Sequence, residues 1–152
     1  MAAPAQLAPT DDMIARRKFL DKVGHRLPDD VRKPVKRALQ AVLKAHDEDK
    51  ADGDRHDADP ASLALLLRFY EHAFRRDWII PSLVIKPDGN FVAIWDNGGD
   101  RYSVSFPAQQ AAEWSSIKVG ADGSVDRRSG LYDDIDKFEE PPIEIPRRPK
   151  SF

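Results

Sequence analysis

The chain predicts an α+β fold: two to three N-terminal helices followed by an antiparallel meander of about four strands. Three observations carry that prediction. Trp78 to Phe106 reads WIIPSLVIKPDGNFVAIWDNGGDRYSVSF, a run of alternating apolar and polar residues broken by two turn signals. Leu63 to Phe74, immediately upstream, is apolar at helical spacing. The first third of the chain carries the same 3.6-residue periodicity in two shorter stretches and lacks strand-like alternation.

In chain order, residues 1–10 (MAAPAQLAPT) read as a flexible arm and residues 11–46 as a helical hairpin. Thr10 or Asp11 supplies a cap, and Met13, Ile14, Arg17, Leu20, Val23 and Leu27 follow near helical spacing. Leu27-Pro28 breaks this helix, since the residue before proline is pushed out of the helical region. Asp29 and Asp30 favour a new start, and Val31, Val35, Leu39, Val42 and Leu43 form a narrow apolar stripe. Pro34 suits only a first turn, which moves the expected start toward Lys33.

Residues 47–58 read as an acidic linker, dense in Asp and without apolar periodicity. Residues 59–140 form the expected core. Asp59 or Ser62 begins its helix, with Pro60 in the first turn, and Leu63, Leu66, Leu67, Tyr70 and Phe74 line one face. Ser82 to Lys86, Phe91 to Trp95 and Arg101 to Phe106 are strands joined by Pro87-Asp88-Gly89-Asn90 and by a turn containing Asn97-Gly98. Trp114 to Val119 is a fourth strand, Ser124 to Arg127 a short fifth, and residues 130–140 a helical turn around Ile135 and Phe138. Residues 141–152 form an extended Pro-rich tail.

Composition narrows the function classes. A length of 152 residues fits one domain. Formal net charge is -2, from 24 basic and 26 acidic residues, so the basic excess of a dedicated nucleic-acid binder is missing. There is no cysteine, which removes disulfides, thiolate metal ligands and a cysteine nucleophile. The N-terminus lacks the basic and apolar regions of a secretory signal, and no apolar run approaches the ~20 residues that span a bilayer. The expectation is a cytoplasmic protein without membrane contact.

From residue 60 to 125, an apolar helix (Leu63 to Phe74), a proline (Pro81), then Asp88, Gly89 and Trp95 in a P-D-G-x-φ-x-φ-x-W pattern lead into the alternating strand Tyr102 to Phe106. This resembles a loose group of small, uncharacterised bacterial helix-plus-meander proteins. Where those often carry an acidic residue before the tryptophan, this chain has Ile94. The resemblance implies a small domain whose task is contact with another macromolecule, and no established chemistry.

The acidic segment does not fit a calcium loop. Placing Gly53 at position 6 puts Lys50 at position 3, where an oxygen ligand is required. His25, His46, His56 and His72 are scattered, with no pair at the i, i+4 spacing of a helical zinc site, and each reads as a lone surface histidine. No G-x-S-x-G, P-loop or dinucleotide fingerprint occurs. Catalytic residues, metal ligands and cofactors are therefore expected to be none.

What remains is recognition. Trp114, set between Glu113 and Ser115, reads as an exposed aromatic, and Val92, Ile94 and Arg101 lie on the sheet side opposite the aromatic alternation. These four are the candidate protein-binding residues, for another protein as partner. The first reading is thus a non-enzymatic interaction module: an adaptor, an inhibitor or an antitoxin-like partner. The alternative is a nucleic-acid-binding regulator using Arg16, Arg17, Lys33, Lys36 and Arg37 on the N-terminal helices.

Overall fold

The computed structural model describes residues 27–50, 56–108, 110–135 and 140–149. The arm and the first expected helix lie outside them. Among the described residues, two α-helices, α1 (Asp29–Lys50) and α2 (Pro60–Ala73), precede a five-stranded sheet. Its strands are β1 (Ser82–Ile85), β2 (Phe91–Asn97), β3 (Asp100–Phe106), β4 (Ala112–Val119) and β5 (Val125–Tyr132). Each pairs antiparallel with its neighbour in chain order, so the α+β meander is observed, with five strands where about four were expected.

The sheet has one buried face because its side chains alternate and only one set is large and apolar. Phe91, Ala93 and Trp95 of β2 stand beside Phe106, Val104 and Tyr102 of β3, and all six are buried. Helix α2 lies over β2 and β3. Its Phe69 is fully buried, with its ring centroid 6.1 Å from Trp95, 5.6 Å from Phe106, 6.0 Å from Tyr132 and 6.5 Å from Trp78.

The start of α2 is stitched to the β1–β2 hairpin. Asp59 is the N-cap, and its carboxylate accepts from the amides of Ala61 and Ser62. Its own amide donates to Gly89 O at 2.9 Å, and His56 N donates to Pro87 O at 2.8 Å. Gly89 has φ +90°, and a Cβ there would stand 2.1 Å from Asp57 O. The turn therefore needs glycine for its dihedral and for the close approach of the segment before α2. Ser62, fully buried, accepts from Phe91 N at 2.8 Å and donates to Phe106 O, so one hydroxyl joins the helix to the cross-strand pair Phe91–Phe106.

Helix α1 begins at Asp29, earlier than Pro34 suggested; its first turn carries Val31 into the core, and Leu27, just before the helix, is buried as well. Val31, Val35, Leu39 and Leu43 follow every four residues, and the helix lies along β1. It continues to Lys50, four residues beyond His46. His46 is a correction to the expected surface histidine: it is 3% exposed, and its Nε2 donates to His56 O at 2.6 Å. A carbonyl only accepts, so Nε2 carries the proton. The segment before α2 is thus held from both sides, although residues 51–55 lie outside the described part.

Two further differences concern the C-terminal end. Residues 130–132, expected in a helical turn, belong to β5, where Gly130 pairs with Trp114 and Tyr132 with Ala112. A Cβ on Gly130 would come 2.7 Å from Trp114 Nε1, so the indole ring occupies the space a side chain would need. The tail, expected only to be extended, is in addition docked. Ile143 and Ile145 are buried, and Arg147 forms a bridge with Trp78. Arg148 donates to Asp30 Oδ2 at 2.8 Å, to Trp78 O at 2.7 Å and to Phe74 O at 3.2 Å. It ties the start of α1 to both sides of the 3₁₀ turn that follows α2 (Phe74–Arg76).

Replacing Ser62 by Ala leaves the Phe91 amide and the Phe106 carbonyl without that partner in the interior. The expected loss is about 1–3 kcal/mol, read as a lower urea midpoint with an unchanged slope. Alkaline pH provides a second check. Burial raises the Tyr70 and Tyr102 phenols above their ordinary value, and the Tyr132 hydroxyl against Tyr102 adds to the latter. The unfolded chain releases those protons near pH ~10, before the fold does. Stability should be insensitive to these groups below that pH and fall as pH rises beyond it. Tyrosinate absorbance should rise together with loss of circular dichroism; normal titration of Tyr70 and Tyr102 in a still-folded protein would contradict this.

Candidate interaction face

The other face of the sheet is built from the alternate residues of the same strands, and strand register sorts them into three rows. Val84, Val92, Ser105, Glu113 and Leu131 make one row across all five strands. Ser82, Ile94, Ser103, Ser115 and Ser129 make the second. Asp96, Arg101, Ile117 and Arg127 make the third. Every one of these residues is exposed or half-exposed, so no described element is stacked on this side.

The face is chemically divided. On the β1–β2 side it is aliphatic, with Val84 44% exposed and Val92 and Ile94 half-exposed. Its middle is a floor of serines, where Ser103 Oγ and Ser115 Oγ lie 2.7 Å apart across β3 and β4. Short side chains keep this floor low, and two shallow depressions of about 300 Å³ each share Ser105 and Glu113 as lining residues. Leu131, 57% exposed, bounds the far side. Along the third row, Arg101 Nε donates to Asp96 Oδ1 at 2.7 Å, and this hydrogen bond and the carboxylate charge raise the Arg101 pKa. The guanidinium is a permanent, solvent-facing cation already engaged by its cross-strand neighbour.

Of the four residues predicted to contact a protein, Val92, Ile94 and Arg101 share this face. Trp114 does not. It pairs with Val104 and Gly130, lies on the covered side, is half-buried, and has ring centroids of Tyr102 and Tyr132 at 6.5 and 6.4 Å. The strand's own alternation held the signal: Ala112, Trp114 and Ser116 share one side, and Glu113 and Ser115, the flanking polar residues, define the other. Val84, Ile117 and Leu131 were missed because nothing local distinguishes an outward aliphatic residue in a strand from an inward one.

The alternative basic site is only partly described. Arg16 and Arg17 lie outside the described residues. Lys33, Arg37 and Lys44 are exposed on α1 opposite its buried stripe, and Lys36 is exposed on the flank of that stripe. Among the described residues, no group of three His, Cys, Asp or Glu side chains is placed to hold a metal ion, and no helix is long and apolar enough to cross a membrane. Comparison with protein-family models, with curated proteins and with solved structures finds no match to this chain.

Proposed function

We propose that this protein is a non-enzymatic interaction module of the cytoplasm, an adaptor, inhibitor or antitoxin-like partner, which binds another protein through the open sheet face. The observation that carries this is the row Val84, Val92, Ser105, Glu113 and Leu131, an outward stripe with aliphatic ends and a low polar centre. Rigid strands hold it, so little ordering entropy opposes binding there. Aliphatic ends supply the water-excluding contact, and serine hydroxyls and Glu113 supply hydrogen-bonding groups between them. The Cys-free composition accords with a reducing compartment.

Val92→Lys and Ile94→Lys place charges on this face without entering the core. A partner recovered with the tagged wild-type chain from its source cells should be lost with either variant and kept with Lys33→Glu. Circular dichroism should show the variants folded. Equal recovery with all of them would remove the face from the reading.

A second reading rests on the basic side of α1, where Lys33, Arg37 and Lys44 lie opposite the buried stripe and Lys36 on its flank. There the chain would engage nucleic acid by phosphate contacts. A gel shift at low salt that weakens steeply with added salt and disappears on charge reversal of Lys33, Lys36 and Arg37 is the expected result. Absence of any shift with pooled DNA or RNA at low salt would remove this alternative.

A further inference from the structure

Strand β5 is eight residues long and stands at the sheet edge, and its residues through Ser129 are all exposed. The opposite edge, β1, has α1 alongside it. Among the described residues, β5 is hydrogen-bonded in the sheet to β4 alone, and no backbone bond from a loop reaches it. An edge of this length is a template for a further strand. The exposed large apolar side chains of the described residues are Val84, Val119, Val125 and Leu131, and the last three are at or next to this edge.

We propose that β5 is a dimerisation edge, filled by β5 of a second copy in antiparallel pairing about a two-fold axis at Arg128. The strand is self-complementary in that register. Residues on one side of the sheet must meet residues on the same side, which allows only pairings whose numbers sum to an even value. With Arg128 opposite Arg128, the sum is 256: Leu131 meets Val125 of the second copy, Arg127 meets Ser129, and Asp126 meets Gly130. Val119 already neighbours Val125 across β4 and β5. Leu131 of one copy therefore joins Val125 and Val119 of the other, and the two-fold repeats this cluster. Three of the four exposed large apolar side chains are covered at once.

Two like-charge contacts flank the axis, Arg128 opposite Arg128 and Arg127 on the diagonal from Arg127 of the second copy, and for the first the strand carries a remedy. Arg128 Nε already donates to Asp126 Oδ2 at 3.1 Å. Asp126 of the second copy falls on the diagonal from Arg128, so two cations and two carboxylates alternate around the axis. A shift of two residues, centring on Arg127, would place Leu131 opposite Gly123, a turn residue with φ +83°, and lose the apolar cluster. An eight-residue edge contact is small against the ~1,000 Å² expected of a stable interface, so the dimer should be a concentration-dependent one.

Sedimentation equilibrium of the full chain over a concentration series tests this. The wild type should follow a monomer–dimer equilibrium, and Val125→Lys and Leu131→Glu should each weaken association roughly tenfold or more. An equimolar mixture of the two variants should recover it, since one cluster then carries a Lys–Glu pair and the other is native. Gln40→Lys, exposed on α1 and away from β5, should leave the association unchanged. A second measurement does not depend on those variants folding: the chain has no cysteine, so Arg128→Cys should give a disulfide-linked dimer on mild oxidation while Val84→Cys stays monomeric. A monomer at all concentrations, association indifferent to the β5 substitutions, or no recovery in the mixture would overturn the proposal.

Discussion

One buried hydroxyl and one capping carboxylate decide how the two halves of this fold meet. Ser62 holds the Phe91 amide and the Phe106 carbonyl together, and Asp59 caps α2 while its amide bonds the hairpin at Gly89. Helix position, hairpin position and the first cross-strand pair of the sheet are thereby set by residues within one turn of each other. Such a polar node is expensive when incomplete, because each unpaired group in the interior costs its full desolvation. Complete, it pins the start of α2 to β2 and β3, and Phe69, two turns further on, lies among Trp78, Trp95, Phe106 and Tyr132.

The consequence is a one-sided sheet. All three tryptophans lie on the α2 side: Trp78 and Trp95 are buried, and Trp114 is half-buried over Gly130. The docked tail closes the same side, with Ile143 and Ile145 buried and Arg148 joining α1 to the end of α2. With the large side chains drawn to one face, the other is left with serines, aliphatics and a few charges. Its low relief follows from packing on the opposite side, since alternation along a strand cannot place large residues on both faces without exposing one set. The open face and the open edge meet at Leu131, which lies on both.

Several features were legible because their causes are local. Pro87-Asp88-Gly89-Asn90 and Asn97-Gly98 mark hairpins through dihedral preferences that need no distant partner, and strands β1 to β3 formed where they predicted. Asp59 and Pro60 announced the start of α2 in the same way. Other features depended on partners far along the chain. Pro34 argued for a late helix start, but burial of Leu27 and Val31 outweighed it. His46 looked like the edge of a polar linker and is buried because the segment before α2 returns to cover it. Trp114 was assigned outward from its polar neighbours, whereas the space above Gly130, sixteen residues on, accommodates its ring.

By itself, then, the sequence determined the class of fold, the helix α2 and the first two hairpins, since periodicity and turn chemistry act over a few residues. It also determined that Val92, Ile94 and Arg101 would share one side of the sheet, because side-chain direction along paired strands has period two. Tertiary structure alone decided how far β5 would run and where the tail would dock. Those outcomes depend on contacts such as Phe69 with Tyr132 and Arg148 with Asp30, 63 and 118 positions apart. Contacts at such separations leave no periodic trace in the chain, and only the packed core selects them.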